Sequence, residues 1–201
     1  MKSDFSLLTS GNNEKNLFIS SRITNVSKAI GFFTHSPSTH TTLSLNACFD
    51  EMYTFSRKTM RLFPSGFVKE NIRTNVLKKR DKCPCSVYEI ELTDEKYENL
   101  KREIEKFEEE GEKYKYAVLG IFLCFFRIKK TFKYKRFCSQ FVSELLRDGA
   151  GIKLPYDPSL MRPKDFLKLD CLNLVYEGTI RGLAEKTDGL KTPFLTTAVK
   201  A

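Results

Sequence analysis

Cys138 heads the run Phe137-Cys138-Ser139-Gln140-Phe141-Val142-Ser143-Glu144-Leu145-Leu146, directly before residues spaced as an amphipathic helix. A thiol there feels the positive end of the backbone dipole and unpaired amide N–H groups, and both favour the thiolate, which is the nucleophile. A thiolate nucleophile needs a group that takes its proton and hands it on, and imidazole has the ordinary pKa for that task. The chain has two histidines, His35 and His40. His40 lies in residues 39–46, which alternate as a strand with His40, Thr42 and Ser44 on the more polar face and Thr41, Leu43 and Leu45 on the other. His35 ends a helical pattern just ahead of Ser36-Pro37, where an imidazolium caps free carbonyls, and is read as structural.

These residue types point to acyl transfer. Cys138 attacks a carbonyl, His40 accepts the thiol proton and returns it to the leaving group, and water or another acceptor resolves the thioester. The backbone N–H of Cys138 is the natural first donor to the oxyanion. A third polar group is expected to orient the imidazole. On the following strand Thr54 and Ser56 share a face, and Glu51 just before it offers better chemistry at a less certain position. The bland alternatives are a buried structural cysteine and a satisfied structural histidine.

The elements that must position these groups follow from period and punctuation. Residues 16–20 and 52–56 read as strands, and the second forms a hairpin with the His40 run. Between them, Ile23, Val26, Ile30 and Phe33 recur at helical spacing over residues 22–33, with Pro37 beyond. Residues 59–82 read as irregular and basic, and residues 86–92 alternate as a strand. Thr93 or Asp94 caps a helix with the apolar stripe Tyr97, Leu100, Ile104 and Phe107, which stops at Gly111. Residues 114–126 fit helix or strand by pattern and are read as a helix from their length and position, Gly149 and Gly151 end the Cys138 helix, and residues 171–176 are a last strand.

With 201 residues the chain is expected to form one domain, spanning 1–201, with a loose lead-in over 1–14 and a tail from about 190 to 201. A hydrophobic fraction of 41%, with 17 Phe and 8 Tyr, describes a folding sequence with an aromatic core rather than a disordered one. The net charge of +9 suggests an anionic partner. No zinc-finger spacing, RNA-binding signature or basic heptad repeat accompanies it, so no nucleic acid is expected. Six cysteines with no signal peptide ahead of them read as reduced thiols in a cytoplasmic protein. Cys83-Pro-Cys85 has no second ligand pair at zinc spacing, so neither a metal nor a cofactor is called for. The most apolar segment, 116–128, holds about thirteen residues, short of the roughly twenty that span a bilayer, so no transmembrane segment is expected.

The order of these elements resembles the circularly permuted papain-like cysteine hydrolases, the YiiX-type branch of the NlpC-like superfamily. The resemblance rests on Ser38-Thr39-His40-Thr41-Thr42-Leu43-Ser44-Leu45, on Met52-Tyr53-Thr54-Phe55-Ser56, and on Arg136-Phe137-Cys138-Ser139-Gln140-Phe141-Val142. It covers roughly residues 14–180. Ordinary papain-like enzymes place the cysteine helix before the histidine strand, and the permuted branch reverses that order, as this chain does. The resemblance implies an α+β fold in which a small antiparallel sheet packs against the cysteine helix and presents His40 to Cys138. Relatives often carry a carboxylate on the strand after the histidine, and the matching residue here is Thr54. The implied function is a cysteine amidase or peptidase acting on a peptide or other amide. An acyltransferase or lipid-directed thiol hydrolase on the same chemistry, and a catalytically silent ligand-binding module, are the alternatives.

Overall fold

In the computed structural model, which describes residues 14–20, 40–57, 65–74, 77 and 80–188, eight strands form one sheet. They are β1 (Glu14–Ser20), β2 (His40–Ser44), β3 (Met52–Arg57), β4 (Ser65–Glu70), β5 (Pro84–Glu91), β6 (Lys115–Tyr116), β7 (Lys135–Arg136) and β8 (Asn173–Thr179). Their order across the sheet is β7-β6-β4-β3-β2-β1-β5-β8, antiparallel throughout except for the parallel pair β6 and β7. The helices are α1 (Asp94–Glu109), α2 (Val118–Phe125), α3 (Cys138–Glu144) and α4 (Ile180–Thr187). The class is α+β, as expected. The sheet is larger than the small one anticipated, because residues 59–82 contain β4 and two-residue strands extend its edge beyond β4.

Alternation along β2 and β3 sends side chains to two different cores. Leu43, Tyr53 and Phe55, with Phe67 of β4, meet Leu100, Ile104 and Phe107 of α1 and Phe141 and Val142 of α3. Aromatic rings dominate that core, with Phe141 lying 5.1 Å from Phe55 and 4.9 Å from Phe107 between centroids. Met52 belongs to a second cluster with Phe49, Ile72, Leu77, Val87, Tyr176 and the α4 residues Ile180 and Leu183. Alternation gives β2 one face more polar than the other, yet neither is open to water. All five of its residues are buried, because β2 is an interior strand between β1 and β3 and the side facing away from α3 is also packed.

Helix α1 begins where the capping residue was expected, with the Thr93 hydroxyl accepting from the Lys96 N–H, and its Leu100, Ile104 and Phe107 stripe is buried. Residues 114–126 divide into β6 and α2 rather than one helix. Helix α3 starts at Cys138 and widens into a π-helical turn at Leu145–Gly149. Helix α4 was not anticipated, although Thr179 accepts from the Gly182 N–H as its cap and Ile180, Leu183 and Thr187 are spaced as a buried stripe. The helix expected over 22–33, His35, most of the lead-in and the tail lie outside the described residues. Among the described residues, no helix is long and apolar enough to cross a membrane.

Candidate active site

His40 is the first residue of β2, and its Nε2 faces three oxygens. Thr42 Oγ1 lies at 3.1 Å, Thr54 Oγ1 at 3.5 Å and a carboxylate oxygen of Glu70 at 3.8 Å. His40 is 4% exposed and Glu70 3%, so this is a buried polar cluster. The Ser56 hydroxyl donates to the other Glu70 oxygen at 3.0 Å. Thr54 gives its own proton to the Thr41 carbonyl at 2.8 Å, so toward the imidazole its oxygen can only accept. An ionised carboxylate is likewise acceptor-only. The arrangement therefore favours a proton on Nε2, which makes Nδ1 the basic nitrogen of the neutral ring.

The sheet is open where this cluster sits. Strands β2 and β3 pair at Leu43 with Tyr53 and at Ser44 with Met52, and the ladder goes no further toward His40. There the Thr54 hydroxyl bonds the Thr41 carbonyl in place of a backbone donor. Glu70, opposite Met52 in the register, completes the group from β4.

Cys138 enters its helix from Phe137, whose hydrocarbon side chain offers no acceptor, so the helix start has no side-chain cap. Cys138, Ser139 and Gln140 are buried. The Ser139 hydroxyl donates to the Met161 carbonyl at 2.8 Å, tying the first turn to the segment after it, and Gln140 donates to Glu144. The Arg136 guanidinium donates to Glu144 as well, so one charge of the basic run before Cys138 is neutralised within the fold. Burial holds the Glu144 carboxyl above its ordinary value, against the pull of Arg136.

Of the expected site residues, the structure brings His40 and Thr54 together directly and Ser56 to the same group through Glu70. Glu51 is elsewhere, half-exposed and paired with Lys69 at 2.9 Å, which removes it as the orienting residue. Helix α3 packs on the Leu43 and Phe55 face of the strands, while Thr42, Thr54 and Glu70 hold the His40 ring on the opposite face. Helix α3 packs against both β2 and β3 from the Leu43 and Phe55 face. Phe141 of α3 lies 5.1 Å from Phe55 of β3 between ring centroids, with the rings tilted by 52°. Sequence reasoning missed Glu70, because residues 59–82 were read as irregular. The run Ser65-Gly66-Phe67-Val68-Lys69-Glu70 after Pro64 carried a usable strand signal in its Phe and Val.

Two other thiols are held inert by their surroundings. Burial pushes the Cys85 thiol up to about 12 and the Cys124 thiol up to about 11, with Arg162 and Arg127 opposing the rise at Cys124. Burial also raises the Cys171 thiol. Among the described residues, no group of three or more His, Cys, Asp or Glu converges to hold a metal ion.

No family model matches the chain, and no curated protein does either. Among solved structures the chain is similar to the crystal structure of metalloprotein YiiX from Escherichia coli O157:H7, with a TM-score of 0.46 and 12% identity, over 84% of this chain and 98% of that one. A likeness at that level transfers no chemistry.

Proposed function

We propose that the chain is a cysteine hydrolase of the permuted papain-like kind, cleaving a peptide or other amide through a Cys138 thiolate and a thioester. One observation carries this reading: the Nε2 of a buried imidazole faces a buried carboxylate and a hydroxyl that can only accept, on a strand against which the thiol helix packs. In this scheme Nδ1 of His40 takes the Cys138 proton and the thiolate adds to the amide carbonyl. The C–N bond then breaks, and the imidazolium returns the proton to the departing amine. Water attacks the thioester next, passing a proton through His40, and the acid leaves as the thiol is restored. Glu70, with Thr42 and Thr54 against the same nitrogen, orients the ring and stabilises its charged form, the role a carboxylate plays behind a catalytic histidine. An acceptor other than water at the thioester would make the same machinery an acyltransferase, on an acyl chain as readily as on a peptide.

A second reading, a ligand-binding module without turnover, is favoured by the placement of the His40 ring on the sheet face away from the α3 stripe. Alkylation separates the two. Treat the full chain with iodoacetamide at about pH 6.5, the ordinary histidine range, and follow each cysteine by mass spectrometry. The enzyme reading expects Cys138 to react first, at least about tenfold slower in His40→Ala and slowed to a smaller degree in Glu70→Gln. Cys85 and Cys124 serve as internal references for a buried, unactivated thiol. Cys138 reacting no faster than those two, or unaffected by His40→Ala, overturns the hydrolase and leaves the binding module.

A further inference from the structure

Helix α2 is apolar on every side, yet only one side is covered. Ala117 at its cap, Gly120 and Cys124 are buried, and Gly120 packs so closely that a methyl group there would lie 3.2 Å from the Phe137 ring. Val118, Leu119, Phe122, Phe126 and Ile128 are each more than half exposed. Positions 118, 119, 122 and 126 fall at helical spacings of three and four, so they form one outward stripe, and Ile128 prolongs it. These five are most of the eight large hydrophobic side chains exposed among the described residues, so the apolar surface is concentrated in one short segment. A soluble fold rarely leaves such a patch without a partner.

Charge says what that partner is. Residues 113–143 contain eight Lys and Arg and no Asp or Glu. Some of these cations are used within the fold: Arg136 by Glu144, Lys129 by Asp157 at 2.6 Å, and Arg127 over the Tyr156 ring. Lys130 and Lys133 are exposed in the loop that follows the stripe, and Lys135 is exposed where that loop enters β7. An outward apolar helix edged by lysines, in a stretch with no carboxylate, complements an anionic bilayer: the side chains enter the acyl boundary and the ammoniums meet lipid phosphates.

We infer that α2 and the lysine loop behind it form an interfacial docking element that seats the protein on an anionic phospholipid bilayer. The element lies beside the thiol helix, since Phe137, which supports Gly120, is the residue immediately before Cys138. The inference does not depend on turnover, and Cys138→Ser is expected to dock as wild type does.

The test is flotation of the full chain with vesicles of phosphatidylcholine alone and with about 30% phosphatidylserine added to supply the anionic surface. Binding is expected only with the anionic lipid, and weaker in about 0.5 M salt, where the screening length shrinks. Lys130→Ala with Lys133→Ala should lower the partition about 25-fold, at about fivefold for each lysine. Phe122→Ser with Phe126→Ser should lower it at least about tenfold. Both variants change exposed residues, so unaltered circular dichroism is the check on folding. Wild type that floats no better with phosphatidylserine overturns the inference, as does a phenylalanine variant that floats like wild type. Dimers that depend on Phe122 and Phe126, without flotation, would overturn it in favour of a second copy of the chain as the occupant.

Discussion

The two faces of β2 and β3 come from the same short strands and are buried for different reasons. One carries Leu43, Tyr53 and Phe55, ring against ring with Phe67, Phe107 and Phe141. The other carries His40, Thr42, Thr54 and Ser56 around the Glu70 carboxylate. Burying hydrocarbon is favourable at roughly 25 cal/mol per Å². Burying a carboxylate and an imidazole costs free energy that pairing at best returns. The first face stabilises the fold through hydrocarbon alone, whereas on the second the hydrocarbon packed around Met52 must offset the cost of the polar group.

Exchanging one residue on each side tests that division. Phe141→Ala removes a fully buried ring and should lower the unfolding free energy in urea by about 3–5 kcal/mol. Glu70→Gln keeps the shape while removing the charge, and should change stability by less than about 1.5 kcal/mol while slowing Cys138 alkylation. Should Glu70→Gln destabilise as much as Phe141→Ala and leave Cys138 reactivity unchanged, the polar face is structural and the comparison collapses.

The apolar face was the legible one. Leucines and aromatics at period two in 39–46 and 52–56, and a stripe at period three to four after Thr93, gave β2, β3 and α1 close to their observed limits. The polar face was legible only in part. Alternation put His40, Thr42 and Ser44 together, but nothing local says that a polar strand face is buried, as every residue of β2 is. Glu70 was missed for a related reason: a carboxylate in a basic stretch looks solvated until a neighbouring strand places it beside an imidazole. Thr54 stands 3.5 Å from the His40 Nε2, while its commitment to the Thr41 carbonyl is a consequence of the unzipped ladder that no sequence pattern announces.

A buried charge outside the polar face sharpens the comparison, since Arg136 and Glu144 pair with only 13% and 12% of their side chains exposed. Arg136→Met should cost about 3 kcal/mol at pH 7, because Glu144 is left charged and buried without its partner. The sign of the pH dependence follows from burial, which holds Glu144 above its ordinary 4.5. A carboxyl raised in the folded state supports folding below its unfolded value and loses that support as pH rises through the folded value. Removing Arg136 raises the group further, so the penalty should be small at about pH 4 and grow toward pH 7. Urea midpoints at the two pH values measure it. An equal penalty at both would mean that the arginine acts through packing of its stem rather than through charge.

A smaller effect than the loss of Arg136 probes how tightly the apolar side is fitted, at the π-helical turn that ends α3. A methyl group on Gly149 would stand 2.7 Å from the Leu100 Cα, so the turn and α1 touch backbone to backbone. Gly149→Ala should therefore cost about 1–3 kcal/mol as overpacking. Because the nearest atom belongs to the main chain, trimming the neighbour in Leu100→Ala should not rescue it, and the two losses should add or worsen together. Gly151 is the contrasting control. Its φ of 65° lies in the left-handed region, and the nearest atom to an added methyl is Lys96 Cε at 4.0 Å. Gly151→Ala should cost about 1 kcal/mol through backbone strain alone, independently of any change at Leu100. Rescue of Gly149→Ala by Leu100→Ala would show that side-chain bulk sets the spacing of α1 from α3, and that the apolar side is looser than its contacts imply.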